Sequence, residues 1–174
     1  MHIAITGHRH MELTLNGIGQ RNVAELTREI HERAAKRAAL GEYITLHTGG
    51  ALGVDTWVAQ TWQMMQVYHN GLFHKLHLPF DIDTMGRFWT LQQQRAANGV
   101  LANADALCDK CMAPTFDFAQ YQKRNECMVD TSDHVIAFWT GKSGGGTWNC
   151  IKYALHVGKP VYNALQGFER IRSL

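Results

Sequence analysis

Proline is scarce in this chain, with 3 residues against 16 glycines. That excludes a Pro-rich linker and favours compact elements joined by glycine turns. Long apolar runs are missing as well, and none approaches the roughly 20 residues of a membrane span. Neither sign of charge dominates: 17 Lys and Arg against 15 Asp and Glu leave a net charge of +2. No dense basic stripe appears, so a nucleic-acid partner is not required, although the mildly basic pI of about 8.4 admits an anionic ligand. Charged residues make up only 18% and hydrophobic residues 45%, which excludes a self-repelling disordered chain. The opening MHIAITG has no basic or long apolar stretch, so no secretory leader is expected. Without export signals, 4 cysteines read as free thiols rather than a disulfide framework. The expectation is a cytoplasmic protein that does not engage a membrane.

A length of 174 residues fits a single domain over residues 1–174 with a core of its own. Strand patterns fall at residues 3–6, 43–47, 73–78, 106–108, 134–139 and 161–162. Helical spacing of apolar residues runs from Arg21 to about Gly41 and through Val54, Val58, Thr61, Met65 and Tyr68, and residues 88–104, 117–130 and 147–156 also read as helices. In the helix at 88–104, Phe88, Leu91 and Leu101 are expected to face inward. Residues 6–20 read as a loop. Strands alternating with helices of crossover length predict an α/β fold, a mostly parallel central sheet with helices on both faces. Right-handed crossovers then put every strand-to-helix loop at the carboxyl edge of the sheet. Segments far apart in sequence converge there.

Three of those loops carry candidate ligand-binding residues. The first is the run GKSGGGT, with Ser143, Gly144, Gly145, Gly146 and Thr147. Bare glycine amides and a helix start form a natural seat for a phosphate, with hydroxyls from Ser143 and Thr147. It is not a Walker A loop, which would need Gly at Ile136, nor a GxGxxG fingerprint, which would need Gly at Asn149. The second run, TGGALGVD, offers Gly49, Gly50 and Gly53 at another strand-to-helix turn. Its Asp55 either favours the helix N-terminus or meets a sugar hydroxyl. The third, TGHRH, offers Thr6, Gly7, His8 and Arg9, with Arg9 suited to a phosphate or carboxylate. His8 and His10 lack further ligands at a telling spacing, so no metal is assigned to them. Cys108 and Cys111 form a CxxC without a second such pair, and the four thiols are read as buried rather than metal-binding. Trp139 and Trp148 bracket the glycine loop, and either can stack on a base.

Taken together, TGHR at 6–9, GGALGVD at 49–55, YQKRNECMVDTSD at 121–133, GGGT at 144–147 and GKPV at 158–161 resemble the SLOG superfamily, in its YpsA-like branch. The resemblance covers nearly the whole chain. It implies a Rossmann-like three-layer sandwich that binds nucleotides or nucleotide-derived ligands. The superfamily also holds the LOG-type phosphoribohydrolases and the DprA/Smf proteins. On that resemblance Arg124 and Asn125 join the ligand-binding set. The LOG pattern places Arg and Met before a strand and a carboxylate just after the glycine-loop Thr. Arg124 and Met128 fit the first part, but Trp148, Asn149 and Cys150 follow Thr147. Arg124, Glu126 and Asp55 are the remaining catalytic candidates. The favoured expectation is a binding protein for an ADP-ribose-like or cyclic nucleotide, acting as sensor, carrier or sequestering protein with no required cofactor. An N-glycosidic hydrolase or transferase of nucleoside monophosphates and a DprA-like single-strand DNA binder are the alternatives. The superfamily also implies homo-oligomers, with the exposed face of the helix near residues 57–68 as a surface for self-association.

Overall fold

The computed structural model describes residues 1–173, apart from the side chains of residues 10–12. Strands β1 (His2–Gly7), β2 (Ile44–Thr48), β3 (Leu72–His77), β4 (Ala106–Cys108), β5 (His134–Phe138), β6 (Val161–Asn163) and β7 (Glu169–Ile171) form one sheet. Its order is β4-β3-β2-β1-β5-β6-β7. All pairings are parallel except that of β7 with β6. Helices α1 (His10–Leu15), α2 (Gln20–Ala38), α3 (Val54–Gln66), α4 (Ile82–Gly86), α5 (Leu91–Ala102), α6 (Ala119–Asp130) and α7 (Gly145–His156) fill the crossovers. Among the described residues no helix is long and apolar enough to cross a membrane.

The two-residue period of the central strands sorts their side chains between two cores. On β1, Ile3 and Ile5 face one core and Ala4 the other; on β5, Ile136 and Phe138 face the first and Val135 and Ala137 the second. The first core takes Val23, Ile30 and Ala34 of α2 and Val54, Val58 and Trp62 of α3. The second takes Met128 and Val129 of α6 and Cys150, Ile151 and Ala154 of α7. Both central strands are therefore apolar on both faces, as a sheet covered on two sides requires. Each fully buried Ile or Leu contributes roughly 1.5–3 kcal/mol. A third cluster, Ala59, Leu76, Leu78, Phe80, Met85 and Val100, holds α4 and α5 against the end of β3.

The structure differs from the sequence expectation in local ways. α1 lies inside the expected loop at residues 6–20. The helix expected over 88–104 is Leu91–Ala102, because Thr90 starts it: Thr90 Oγ1 accepts from the Gln93 amide and Gln93 Oε1 accepts from the Thr90 amide. Phe88 therefore precedes the helix and is 84% exposed, with the Arg87 guanidinium over its ring, and Leu91 is 62% exposed. Ala97 and Val100 take the buried positions. Tyr68 lies beyond the end of α3 and is exposed with Met64 and Val67, on the side offered for self-association.

Strand β3 also buries His74. Its Nδ1 meets Gln63 Nε2 at 2.9 Å and its Nε2 meets Thr48 Oγ1 at 2.8 Å. The Gln63 amide nitrogen can only donate, so His74 is held neutral with its proton on Nε2. Burial lowers its pKa to about 4. The unfolded chain takes up this proton below about pH 6.5 and the folded chain does so only near pH 4, so stability falls as pH drops through that window. Thermal melts from about pH 7 to about pH 4.5 are expected to show a progressive loss of Tm; a constant Tm across that range contradicts the assignment.

Candidate functional site

From β1 the chain steps outward through β2, β3 and β4, then returns to place β5 on the other side of β1. The carboxyl ends of β1 and β5 are therefore the point where the winding reverses, where open α/β sheets take their ligands. His8, following β1, and Thr140, following β5, meet across this point. The Thr140 amide donates to His8 Nε2 at 3.2 Å, and Thr140 Oγ1 lies 3.1 Å from the same nitrogen. The imidazole is therefore neutral, with its proton on Nδ1.

The glycines at 49 and 50 are closed off by the protein itself. Asp55, in the first turn of α3, turns its Oδ2 back to accept from the amides of Gly49 at 3.2 Å and Ala51 at 3.3 Å. The same oxygen accepts from Arg124 Nη1 at 3.2 Å, and both side chains are buried. Burial pushes the Asp55 carboxyl above its ordinary pKa, while Arg124 and the two amides pull it down. An internal carboxylate thus sits where an anion would sit. A Cβ on Gly49 would fall 1.2 Å from Arg124 Nη1, so only glycine leaves room for the pair. Gly7 likewise lets β1 touch the start of α3, since a Cβ there would lie 2.6 Å from Val54. Gly53 precedes α3 with φ of 98°, a backbone that glycine adopts without strain.

The glycine loop before α7 has the opposite character. Gly144, Gly145 and Gly146 are exposed, and a Cβ on any of them would meet nothing within 4 Å. Gly144 is the cap of α7, and no side-chain group caps it. Asn125, next to Arg124 on α6, donates to the Gly146 carbonyl at 3.3 Å. One turn of α6 therefore links the closed glycine pair to the open one. Arg124 Nε is buried and has no hydrogen-bond partner. Thr147 is buried in the first turn of α7, Ser143 and Arg9 are exposed, and Thr6 is buried with its side chain hydrogen-bonded to Cys150. Trp139 and Trp148 pack on one another across the loop, 5.7 Å between ring centroids, and Trp139 Nε1 donates to the Lys142 carbonyl. Glu126 accepts from Gln122 within α6, and Asn149 is exposed on α7. The side chain of His10 lies outside the described residues.

Two concavities are found among the described residues, one of them beside this arrangement. One of about 360 Å³ lies against the start of α3, among Leu52, Gly53, Thr56, Trp57, Gln92 and Gln93. The other, about 470 Å³, is lined by Met1, Ile3, Asp133, His134 and Pro160, at the amino ends of the strands. It lies at the opposite edge from the glycine loops.

The motif order that the sequence shows is also that of a known family. Its sequence model, the YspA SLOG family, matches residues 3–158. The chain belongs to this family. The uncharacterized SPbeta prophage-derived protein YoqJ of Bacillus subtilis (strain 168) is 31% identical over 117 residues, covering 62% of this chain and 67% of YoqJ. A UPF0398 protein of Bacillus pumilus (strain SAFR-032) is 25% identical over 153 residues, covering 87% of this chain and 80% of its own. Among solved structures, DNA processing protein A from Helicobacter pylori, described for its single-stranded DNA binding mode, superposes with a TM-score of 0.59 at 18% identity. It covers 94% of this chain, which spans 64% of that protein. At that identity the match shows the shared Rossmann-like α/β fold.

In this SLOG chain the histidines of β2 and β3 are what sequence reasoning missed. His47, His74 and His77 are buried and sit one strand apart or on one strand. Single histidines in strand patterns carry no signal until the sheet order is known. The contrast between the two glycine loops is testable by chemical denaturation. Gly49→Ala displaces Arg124 from Asp55 and is expected to cost about 3–5 kcal/mol, as for a broken buried ion pair. Gly146→Ala, in open space on a helix, should change stability by no more than about 1 kcal/mol. Equal effects of the two contradict this geometry.

Proposed function

We propose that this SLOG protein binds a nucleotide or nucleotide-derived ligand, ADP-ribose-like or cyclic, at the carboxyl edge of its sheet, as a sensor, carrier or sequestering protein. The observation that supports this most is the uncovered amide row of Gly144, Gly145 and Gly146 at the start of α7, linked through Asn125 to Arg124 with its unpartnered buried Nε. A helix N-terminus supplies free N–H groups and a positive dipole end to a phosphate. Ser143, Thr147 and Arg9 surround the same strand ends, and the tilted pair Trp139 and Trp148 offers an aromatic face to a base. Gly49, Gly50, Gly53 and Asp55 serve this reading as the support that holds Arg124 in place, with Thr6, Gly7 and His8 forming the floor between β1 and β5.

Binding is favoured over hydrolysis because Asn149 stands where the LOG pattern has its carboxylate, and Asp55 is already engaged by Arg124 and two amides. A carboxylate so engaged is poorly placed to activate water. Single-stranded DNA is the second reading, carried by the fold shared with DNA processing protein A.

Thermal shift and calorimetry against AMP, cyclic AMP, ADP-ribose and a single-stranded oligonucleotide separate these readings. A bound nucleotide at a hundred times its Kd stabilises by roughly 2.7 kcal/mol. Gly146→Asp is expected to abolish that response, because a carboxylate at the helix start suits the fold but repels phosphate. No response to any nucleotide, or one unchanged in Gly146→Asp, overturns the proposal. A response to the oligonucleotide alone, falling steeply with salt, transfers it to the DNA reading.

A further inference from the structure

Beyond the glycine loops, the carboxyl ends of β3 and β4 bring four metal-ligating side chains together. They are His77 at the end of β3, Cys108 at the end of β4, Cys111 in the following turn and Cys127 on α6. Their ligand atoms all lie within 4.8 Å of one another. Cys108 Sγ and Cys127 Sγ are 3.5 Å apart, and Cys111 Sγ and His77 Nδ1 are 4.0 Å apart. Four ligands around a tetrahedral zinc, at about 2.3 Å for sulfur and about 2.0 Å for nitrogen, stand roughly 3.5–3.8 Å from one another. We propose that His77 Nδ1 and the Sγ atoms of Cys108, Cys111 and Cys127 form a closed, four-coordinate zinc site that is structural.

The surroundings are those of a ligand set, not of three idle thiols. His77 Nε2 lies 2.9 Å from His47 Nδ1, and His47 Nε2 lies 2.9 Å from His2 Nδ1. Coordination through His77 Nδ1 leaves its proton on Nε2, to be donated to His47. His47 then carries its proton on Nε2 and donates to His2. All three tautomers are fixed in one direction, and the metal-bound imidazole gains the second hydrogen bond that such ligands almost always have. Lys75 and Arg124 act electrostatically on the same cluster and suit the negative charge that three thiolates and one divalent ion leave. Without an ion, burial and mutual repulsion push the Cys111 and Cys127 thiols up. A bound cation displaces these two protons and that of Cys108 to solvent, three in all. Two ligands come from the ends of adjacent strands, one from the turn after β4 and one from α6. The ion would therefore fasten α6 to the sheet within one turn of Arg124.

The test measures metal in the full-length chain, purified without chelator. One zinc per chain by elemental analysis is expected, lowered by about tenfold or more in Cys108→Ser and Cys127→Ser and kept in Cys150→Ala, whose thiol lies in the other core. Cobalt added to the metal-free wild-type chain gives a second readout that no substitution can confound. It should show the intense red-region bands of a tetrahedral thiolate site. Zinc below a tenth of the chain concentration contradicts the proposal. So do weak octahedral cobalt bands, a Cys108–Cys127 disulfide in non-reducing peptide mapping, or full zinc retention in both serine variants.

Discussion

One buried ion pair ties the two faces of the sheet together at its carboxyl edge. Asp55 begins a helix on one face of the sheet, Arg124 belongs to a helix on the other, and they meet above the carboxyl ends of the strands. Taking two charges out of water costs several kcal/mol per ion, and a single Coulomb contact recovers that only with further hydrogen bonds. Those come from Gly49 and Ala51, whose amides both reach the same carboxylate oxygen. The pair in turn dictates glycine at position 49, because any side chain there would occupy the space of the guanidinium. Loop sequence, helix placement and electrostatics are thus one constraint seen from three sides.

That constraint separates two glycine runs that look alike in sequence. In TGGALGVD the glycines give room to an internal carboxylate, so the anion site there is filled by the chain. In GKSGGGT the three glycines are exposed, a Cβ on any of them would meet nothing within 4 Å, and no side chain caps the start of α7. Asn125 joins the two runs through the carbonyl of Gly146. Arg124 is held on one side by Asp55 and keeps a buried Nε without a hydrogen-bond partner, which is why the proposed anion site includes it. The histidine chain from His2 through His47 to His77 adds a second tie across β1, β2 and β3, running from the amino end of β1 to the carboxyl end of β3.

Much of the fold was legible because the local patterns agree with one another. Runs of apolar residues marked β1 and β5, helical periods marked α2 and α3, and glycines marked the turns between them. The misreading of Phe88 and Leu91 came from apolar periodicity alone, although the Thr90–Gln93 capping box was present in the sequence. Of the site, the glycine loops could be placed at one edge because parallel crossovers leave no other arrangement. The partner of Asp55 could not be read, since a contact over 69 residues of separation depends on how α6 lies across the sheet. Nor could the grouping of His77 and Cys127 with Cys108 and Cys111, whose spacing is set by strand order and not by sequence.

The central claim is that the open amides before α7 are where the ligand's phosphate binds. Backbone amide resonances of this chain, followed by nitrogen–proton NMR during titration with ADP-ribose or AMP, test it at atomic resolution. The account predicts saturable shifts concentrated on Gly144, Gly145, Gly146 and Thr147, accompanied by the Arg124 side-chain Nε–H, while Gly49 and Ala51 move little. Shifts confined to the amino-edge concavity around Met1 and His134, with the glycine amides unmoved, would contradict it.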